Sequence, residues 1–340
     1  MFCFRTTAFA LMLTGCAGIT EVDNSFKSSL RMLEPGTMDE IAVIPCVSGA
    51  SCMLSIPEKL LVVSNTGVLN IYDSETLQLV DSKVIGGSSL SGYRDMVLSP
   101  SGNSVFLIGA YSMLIELSLP DCEVLREFSV CTVPHSLAVT SGAPEYLWVT
   151  DGFENTVYQV DIDLGQSLCS TSIPDFFQIR LLEPSAYYHN FLLMGSSELL
   201  WKLEHREPGL VRLSYEKETL YQSWDAITAI PDDSNFVAVT GDGDSFEIGK
   251  LYVSNEWKEK TSCWFIFSDR AAVEGNYWQT EPGNDNKSVY CMGYSGNENT
   301  ILYRYSYTEP AGLMEEKEFS GFPVDLAIGN SGNLYVLTRE

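Results

Sequence analysis

The 340-residue chain is poor in positive charge. It carries 20 Lys and Arg residues against 45 Asp and Glu residues, which gives a formal net charge of −25. Such a surface would repel a phosphate backbone, so nucleic-acid binding is excluded. The excess of carboxylates has two interpretations: a solvated acidic surface that favours solubility, or an acidic face that docks a basic partner.

Motifs that carry chemistry are also scarce. The chain has only three histidines, His135, His189 and His205. It has no Cys-x-x-Cys pair, no Gly-rich phosphate loop and no Gly-x-Ser-x-Gly nucleophile elbow. A zinc or c-type haem site is therefore not supported. Beyond the N-terminus no run of about 18 apolar residues occurs, so no transmembrane helix is predicted.

The N-terminal segment, MFCFRTTAFALMLTGCAG, has one positive charge at Arg5 and then a short apolar stretch from Ala8 to Leu13. This stretch is too short to span a bilayer and is typical of a secretory signal. Leu13-Thr14-Gly15-Cys16 resembles the lipobox of bacterial lipoproteins, which implies cleavage before Cys16 and acylation of its thiol. The alternative is an ordinary signal peptide with a chance cysteine.

The lipobox resemblance implies a membrane address. Each buried acyl methylene contributes about 0.8 kcal/mol, so two or three chains would anchor a soluble domain firmly. Ala17 follows the cysteine where inner-membrane retention would favour Asp, which implies the outer membrane, facing the periplasm or the cell exterior. We predict a signal peptide over residues 1–15, a lipidated tether over 16–25 and a folded domain over 26–340.

Export would permit disulfides. Of nine cysteines, Cys3 would leave with the signal and Cys16 would carry the lipid, which leaves an odd number. At least one thiol should then stay free unless it pairs between chains. Cys46 and Cys52 bracket a Gly-Ser loop short enough to close, so they form the candidate disulfide.

The rest of the chain repeats a unit of short strands. Pro134–Asp163 shows the unit most clearly, as three runs rich in Val, Tyr, Trp and Thr separated by turn residues. The last apolar residue of each first strand recurs at spacings of 42, 41, 43, 48, 43 and 55. These residues are Ile56, Leu98, Val139, Leu182, Ile230, Val273 and Ile328. A period of about 40 to 45 residues with four strands is typical of a β-propeller blade.

The two ends of the chain predict how the ring closes. The 12 residues after Ile328 contain one strand, and the 30 residues from Phe26 to the residue before Ile56 contain two; together they make one repeat. We therefore predict an all-β, seven-bladed β-propeller. Its closing blade takes its outer two strands from the N-terminal segment and its inner two from the C-terminal segment. The extra length of the sixth unit is assigned to a loop at Gln279–Asn286.

The stretch PHSLAVTSGAPEYLWVTDGFENTVYQVDI resembles the repeat of the YVTN family of β-propellers. It has a proline-initiated strand, an SPDG-like turn, a YVTN-like strand and an SNTV-x-V-ID strand. SPSGNSVFLIG and PVDLAIGNSGNLYVLT are similar, whereas the fourth to sixth units depart from the pattern. The resemblance implies a seven-bladed ring, export and frequent lipidation, but no single activity.

Residues just before each first strand are candidates for a ligand site at the mouth of the central channel. Carboxylates facing arginines there can bind a cation or a polar ligand. Alternatively, the Asp side chains accept hydrogen bonds from backbone N–H groups at neighbouring strand ends. His135 is the best single candidate for an acid, a base or a ligand. The candidate residues are Arg94, Asp95, His135, Asp225, Asp269, Arg270 and Asp325.

One oxygen-rich loop also suggests a cation site. Asp242, Asp244 and Glu247 resemble part of a Ca²⁺ loop. They lack the full Asp-x-Asp-x-Asp-Gly spacing, and a hairpin turn between strands needs the same residue types. No other cofactor is evident.

The predicted function is a lipid-anchored platform, held to a membrane by its N-terminus, whose loops bind a protein partner or a small ligand. The alternative is a metal-dependent hydrolase or lyase of the lactonase-like kind, centred on His135, Asp95, Asp225 and Asp325. Related propeller lactonases and streptogramin lyases surround a divalent metal with His, Glu, Asn or Asp, and that constellation is not visible in this sequence.

Overall fold

A computed structural model describes the chain from Phe26 to Glu340 with internal gaps. Within the described residues, the regular secondary structure consists of 28 β-strands in antiparallel pairs. The described residues are 26–85, 92, 94–109, 112–140, 146–173, 181–184, 191–195, 200–207, 210–216, 223–231, 235–241, 246–253, 265–274, 276–295 and 298–340.

The strands form seven four-stranded sheets in the described part of the chain. The first sheet comprises β3 (Ala50–Ile56), β4 (Lys59–Ser64), β5 (Val68–Asp73) and β6 (Leu79–Val84). The second comprises β7 (Asp95–Leu98), β8 (Ser104–Ile108), β9 (Met113–Ser118) and β10 (Val124–Ser129). The third comprises β11 (Pro134–Thr140), β12 (Tyr146–Asp151), β13 (Thr156–Asp161) and β14 (Gln166–Ser172).

The next three sheets have the same order of strands. The fourth comprises β15 (Leu181–Pro184), β16 (Phe191–Gly195), β17 (Leu200–Glu207) and β18 (Leu210–Glu216). The fifth comprises β19 (Ser223–Ala229), β20 (Phe236–Gly241), β21 (Phe246–Val253) and β22 (Phe265–Val273). The sixth comprises β23 (Asn276–Pro282), β24 (Ser288–Tyr294), β25 (Asn299–Ser306) and β26 (Gly312–Ser320).

The closing sheet joins the two ends of the chain. Its order is β2-β1-β28-β27, where β1 (Ser28–Leu33) and β2 (Glu40–Cys46) are N-terminal and β27 (Phe322–Ile328) and β28 (Leu334–Arg339) are C-terminal. The ladder between β1 and β28 runs without a register shift from Ser28 opposite Arg339 to Leu33 opposite Leu334. The all-β propeller is therefore confirmed, together with the exchange of strands between the ends.

The first strands of the sheets contact one another in a closed circuit: β27, β3, β7, β11, β15, β19, β23 and again β27. One cluster of buried apolar side chains lies at each junction between neighbouring sheets. Second strands such as β8 and β20 are buried at every position, because sheets pack on both of their faces. Outer strands such as β10 are largely exposed. Stacking of the sheets therefore produces the core.

Tyrosine hydroxyls on second strands join the closing sheet to both of its neighbours. Tyr335, on β28, donates a hydrogen bond of 2.5 Å to the carbonyl of Ser74 in the turn after β5 of the first sheet. Tyr290, on β24 of the sixth sheet, donates to the carbonyl of Pro35 in the turn after β1. These bonds link the turn between the third and fourth strands of one sheet to the second strand of the preceding sheet.

We expect Tyr335→Phe to lower the free energy of unfolding by about 1 kcal/mol, because the buried carbonyl of Ser74 loses its donor while the ring keeps its packing. Urea denaturation measures the change. Tyr252→Phe is the control, because Tyr252 is 38% exposed, and its midpoint should match the wild type. Equal midpoints for Tyr335→Phe and the wild type would show that the bond does not contribute to ring stability.

The predicted start of the sixth unit, at a strand ending in Val273, is wrong. Val273 ends β22, the outermost strand of the fifth sheet, and Gln279 lies inside β23 rather than in a loop. The apolar residues Ala271 to Val273 form the end of a nine-residue outer strand, so the first strand of the sixth sheet begins later than predicted. The additional length belongs to the fifth unit.

The predicted disulfide between Cys46 and Cys52 is also wrong, because both cysteines are free thiols. Cys46 contacts the apolar cluster between the closing sheet and the first sheet. Cys52 belongs to the cluster between the first and second sheets. The first sheet therefore separates the two side chains, although only five residues lie between them in sequence.

Candidate functional site

Four of the predicted channel-mouth residues lie at corresponding positions near the start of first strands. His135 and Asp225 are the extra residues at β-bulges in β11 and β19, where the register shifts between Pro134 and Ser136 and between Trp224 and Ala226. Asp325 directly follows the same bulge in β27, and Asp95 is the corresponding residue of β7. The structure thus places these four residues at the same end of the ring.

The carboxylates of Asp95 and Asp325 make the same link between neighbouring first strands. Asp325 Oδ2 accepts a 2.6 Å hydrogen bond from the backbone N–H of Met53 in β3. Asp95 Oδ2 accepts a 2.7 Å bond from the backbone N–H of Leu137 in β11, and a 3.3 Å bond from Ser136 Oγ. Of the two interpretations, Asp95 and Asp325 fit the one in which the carboxylate accepts backbone hydrogen bonds from a neighbouring strand.

Burial sets the electrostatics of this end of the ring. Burial raises the pKa of Asp95 to about 6 and that of Asp325 to about 7, against the hydrogen bonds that lower both values. Arg94, directly before β7, is exposed, but partial desolvation of its side chain lowers its pKa. Burial raises the pKa of the Cys52 thiol well above its usual value, and the negative charges of Asp325 and Asp95 raise it further. Low-dielectric surroundings disfavour the charged form of each group.

The sequence predicted Asp269 and Arg270 at the channel mouth, and that prediction is wrong. Both are exposed residues of β22, the outermost strand of the fifth sheet. The misplaced start of the sixth unit caused the error. Arg270 Nη1 donates a 3.1 Å hydrogen bond to Glu247 Oε2 on the neighbouring strand β21. Glu247, predicted as a Ca²⁺ ligand, thus forms an ion pair with Arg270.

Several predicted residues cannot be placed. Cys16, His189, Asp242 and Asp244 lie outside the described residues, as does the whole N-terminal segment 1–25. Among the residues that are described, no group of three or more His, Cys, Asp and Glu side chains is arranged to hold a metal ion. That part of the chain also contains no helix that could cross a bilayer.

A cavity of about 620 Å³ between the fifth and sixth sheets was not predicted from the sequence. It lies at the end of the ring where first strands finish, opposite the channel-mouth residues. Its lining combines charged, amide, hydroxyl and aromatic side chains from five separate segments. The lining residues are Ile230, Pro231, Lys250, Tyr252, Asp269, Asn286, Tyr307, Thr308, Glu309 and Ala311.

A second, more open cavity of about 580 Å³ lies between the second and third sheets, at the channel-mouth end. Glu154 is held on both carboxylate oxygens, by Thr132 Oγ1 at 3.1 Å and by the Tyr158 hydroxyl at 3.1 Å. Burial raises the pKa of the Cys131 thiol in this cavity. A thiol of raised pKa is a poor nucleophile. The two hydrogen bonds of Glu154 fix the segment between β10 and β11 to the third sheet.

Comparisons with known proteins show the fold alone. No family model matches the sequence, and no curated protein matches it. The Cps50 (Swd1) β-propeller domain of Myceliophteria thermophila aligns with a TM-score of 0.65 at 14% identity, over 85% of this chain and 96% of that one. Kuenenia stuttgartiensis hydrazine synthase aligns with a TM-score of 0.60 at 13% identity, over 86% and 95%. The chain is a β-propeller scaffold, and its resemblance to the YVTN family remains a prediction.

Proposed function

We propose that the protein is a lipid-anchored, extracytoplasmic β-propeller that binds a protein partner or a small ligand and catalyses no reaction. The observation that carries this proposal is the use of Asp95 and Asp325. Both carboxylates accept backbone hydrogen bonds from neighbouring strands, so they build the ring instead of presenting free oxygens to a substrate. Propellers commonly use their loops for binding, because the stacked sheets leave the loops free to vary.

Chemical cross-linking in native membranes tests the binding role. We expect a stoichiometric partner to accompany the purified protein. The matched control is the same purification from cells lacking the protein, in which that partner should be absent. A solitary protein after cross-linking would contradict a protein-binding role and leave the ligand-binding form of the proposal to be tested by titration.

Membrane attachment rests on Cys16 in this proposal. Cys16→Ser is expected to release the protein from membranes and to abolish acyl labelling, since the thiol that carries the lipid is removed. Membrane fractionation and labelling with a palmitate analogue measure both effects. Cys3→Ser is the control and should change neither. Unchanged attachment of Cys16→Ser would refute the lipoprotein assignment.

The second candidate is the metal-dependent hydrolase or lyase centred on His135, Asp95, Asp225 and Asp325. It is retained because these four residues share one end of the ring. An ion that binds only the folded state raises the melting temperature, and the shift grows with the ion concentration. Stabilisation by a divalent ion that disappears in His135→Ala would favour this candidate over the platform.

A further inference from the structure

The cavity between the fifth and sixth sheets has the volume of a small-molecule site and a lining of polar and aromatic side chains. Its volume of about 620 Å³ falls within the range of about 300–1,000 Å³ that ligand pockets occupy. We propose that this cavity binds a neutral saccharide of one or two rings. The inference rests on the proposed binding function and names the ligand class.

One wall of the cavity is aromatic and open to solvent. Tyr252 is 38% exposed, and its ring forms part of the lining. The Lys250 ammonium lies 5.0 Å from the centroid of that ring. A tyrosine offers an apolar body and a polar tip. The C–H face of a sugar ring can pack on the body while its hydroxyls reach the polar groups at the edge.

The polar part of the lining contains donors and acceptors in similar numbers. Asp269 and Glu309 supply carboxylate oxygens, which only accept hydrogen bonds when ionised. Lys250 supplies N–H donors, and Thr308 and Asn286 can both donate and accept. A sugar hydroxyl also both donates and accepts, so one saccharide can satisfy both kinds of group.

Other ligand classes fit this lining less well. An anion would meet two carboxylates on a protein of net charge −25, which disfavours its approach. An organic cation on the ring of Tyr252 would be repelled by the Lys250 ammonium, which lies 5.0 Å from the ring centroid. An apolar ligand would bury the charged groups without replacing their hydrogen bonds to water, which is costly.

The cavity is held in shape by contacts that need no ligand. The Tyr305 hydroxyl, on β25, donates to the backbone carbonyl of Asp269 on β22 and so joins the sixth sheet to the fifth beneath the lining. Asp269 itself has a φ of 54°, a left-handed conformation. Ile230 and Tyr307 in the lining are buried side chains. A preformed site loses little entropy when a ligand binds.

Saturation-transfer NMR on the full chain tests the proposal, in a detergent without sugar headgroups because such headgroups would compete. The probes are maltose, cellobiose, lactose and N,N′-diacetylchitobiose, with choline (an organic cation) and inorganic phosphate (an anion) as charged comparisons. At least one saccharide should bind with a dissociation constant of about 1 mM or lower. The two charged compounds should give no signal that the cavity variants reduce.

Two variants locate the binding. Tyr252→Ala removes the aromatic wall, and Asp269→Asn removes the charge while keeping a residue that tolerates left-handed φ. Each should weaken binding about tenfold, the loss of one good contact. Phe153→Ala, which alters an exposed side chain in the loop after β12 of the third sheet, should leave affinity unchanged.

Three results would overturn the inference: no saccharide binds, binding survives in both cavity variants, or only a charged comparison binds there. Membrane release of Cys16→Ser and partner recovery do not involve saccharides. Failure of this inference and failure of the proposed function are therefore distinguishable.

Discussion

Deletion of residues 26–45 should abolish cooperative unfolding of the entire protein. The deletion removes β1 and most of β2, including the buried residues Leu30, Met32 and Leu33. Loss of one large buried apolar side chain typically costs about 2–5 kcal/mol, whereas total stability is about 5–15 kcal/mol. β28 would also lose its ladder to β1 and become an exposed edge. Calorimetry should show no cooperative transition.

The matched control is deletion of residues 17–25, which precede the first described residue. This shorter chain keeps every strand of the closing sheet, so its melting curve should match that of the wild type. If the chain without residues 26–45 also melts like the wild type, the N-terminal strands do not close the ring. Aggregation of only the 26–45 deletion would agree with an exposed edge on β28.

Stability should fall as pH rises from 5 to 8, because Asp95 and Asp325 have pKa values of about 6 and about 7 in the folded state, above the ordinary value of 3.8. At pH values between 3.8 and these folded-state pKa values, the unfolded chain has released protons that the folded protein still holds, so rising pH favours unfolding. Above pH 7 both states are ionised and the loss is complete. At about 1.4 kcal/mol for each pKa unit, the loss should reach about 2–4 kcal/mol.

A double variant isolates these two carboxyls. Asp95→Asn with Asp325→Asn removes both titrations, while each amide oxygen can still accept the N–H of Leu137 or Met53. Urea unfolding from pH 5 to pH 8 should show a flatter dependence than the wild type. Asp163→Asn, at an exposed position, is the control and should keep the wild-type slope. An unchanged slope in the double variant would mean that both carboxyls are ionised in the folded protein throughout this range.

Much of the fold could be predicted because strand length and turn chemistry repeat along the chain. The pairing of β1 with β28 followed from counting residues at the two ends, and the structure confirms it. The start of the sixth sheet could not be read in the same way. Ala271 to Val273 have the apolar pattern of any strand, and the pattern does not say whether a strand is first or last in its sheet.

The candidate site was harder to predict because it depends on neighbours distant in sequence. The sequence allowed Asp325 either to bind a ligand or to accept backbone hydrogen bonds. Only the contact with Met53, 272 positions away in sequence, decides between these roles. Cys46 and Cys52 are close in sequence, but a whole sheet separates them. The saccharide cavity combines residues such as Ile230, Lys250 and Glu309 from different segments, so no local pattern indicates it.

The first and last described residues lie side by side in the closing sheet. The N–H of Glu340 donates a 2.9 Å hydrogen bond to the carbonyl of Lys27. A short linker joining these residues, with new termini opened between Cys46 and Ala50, would place the four strands of the closing sheet in chain order without changing any pairing. Neighbouring termini of this kind usually tolerate circular permutation. The natural order of strands is thus one of several circular permutations that keep the same ring of sheets, and a permuted protein should be a usable scaffold for grafted loops.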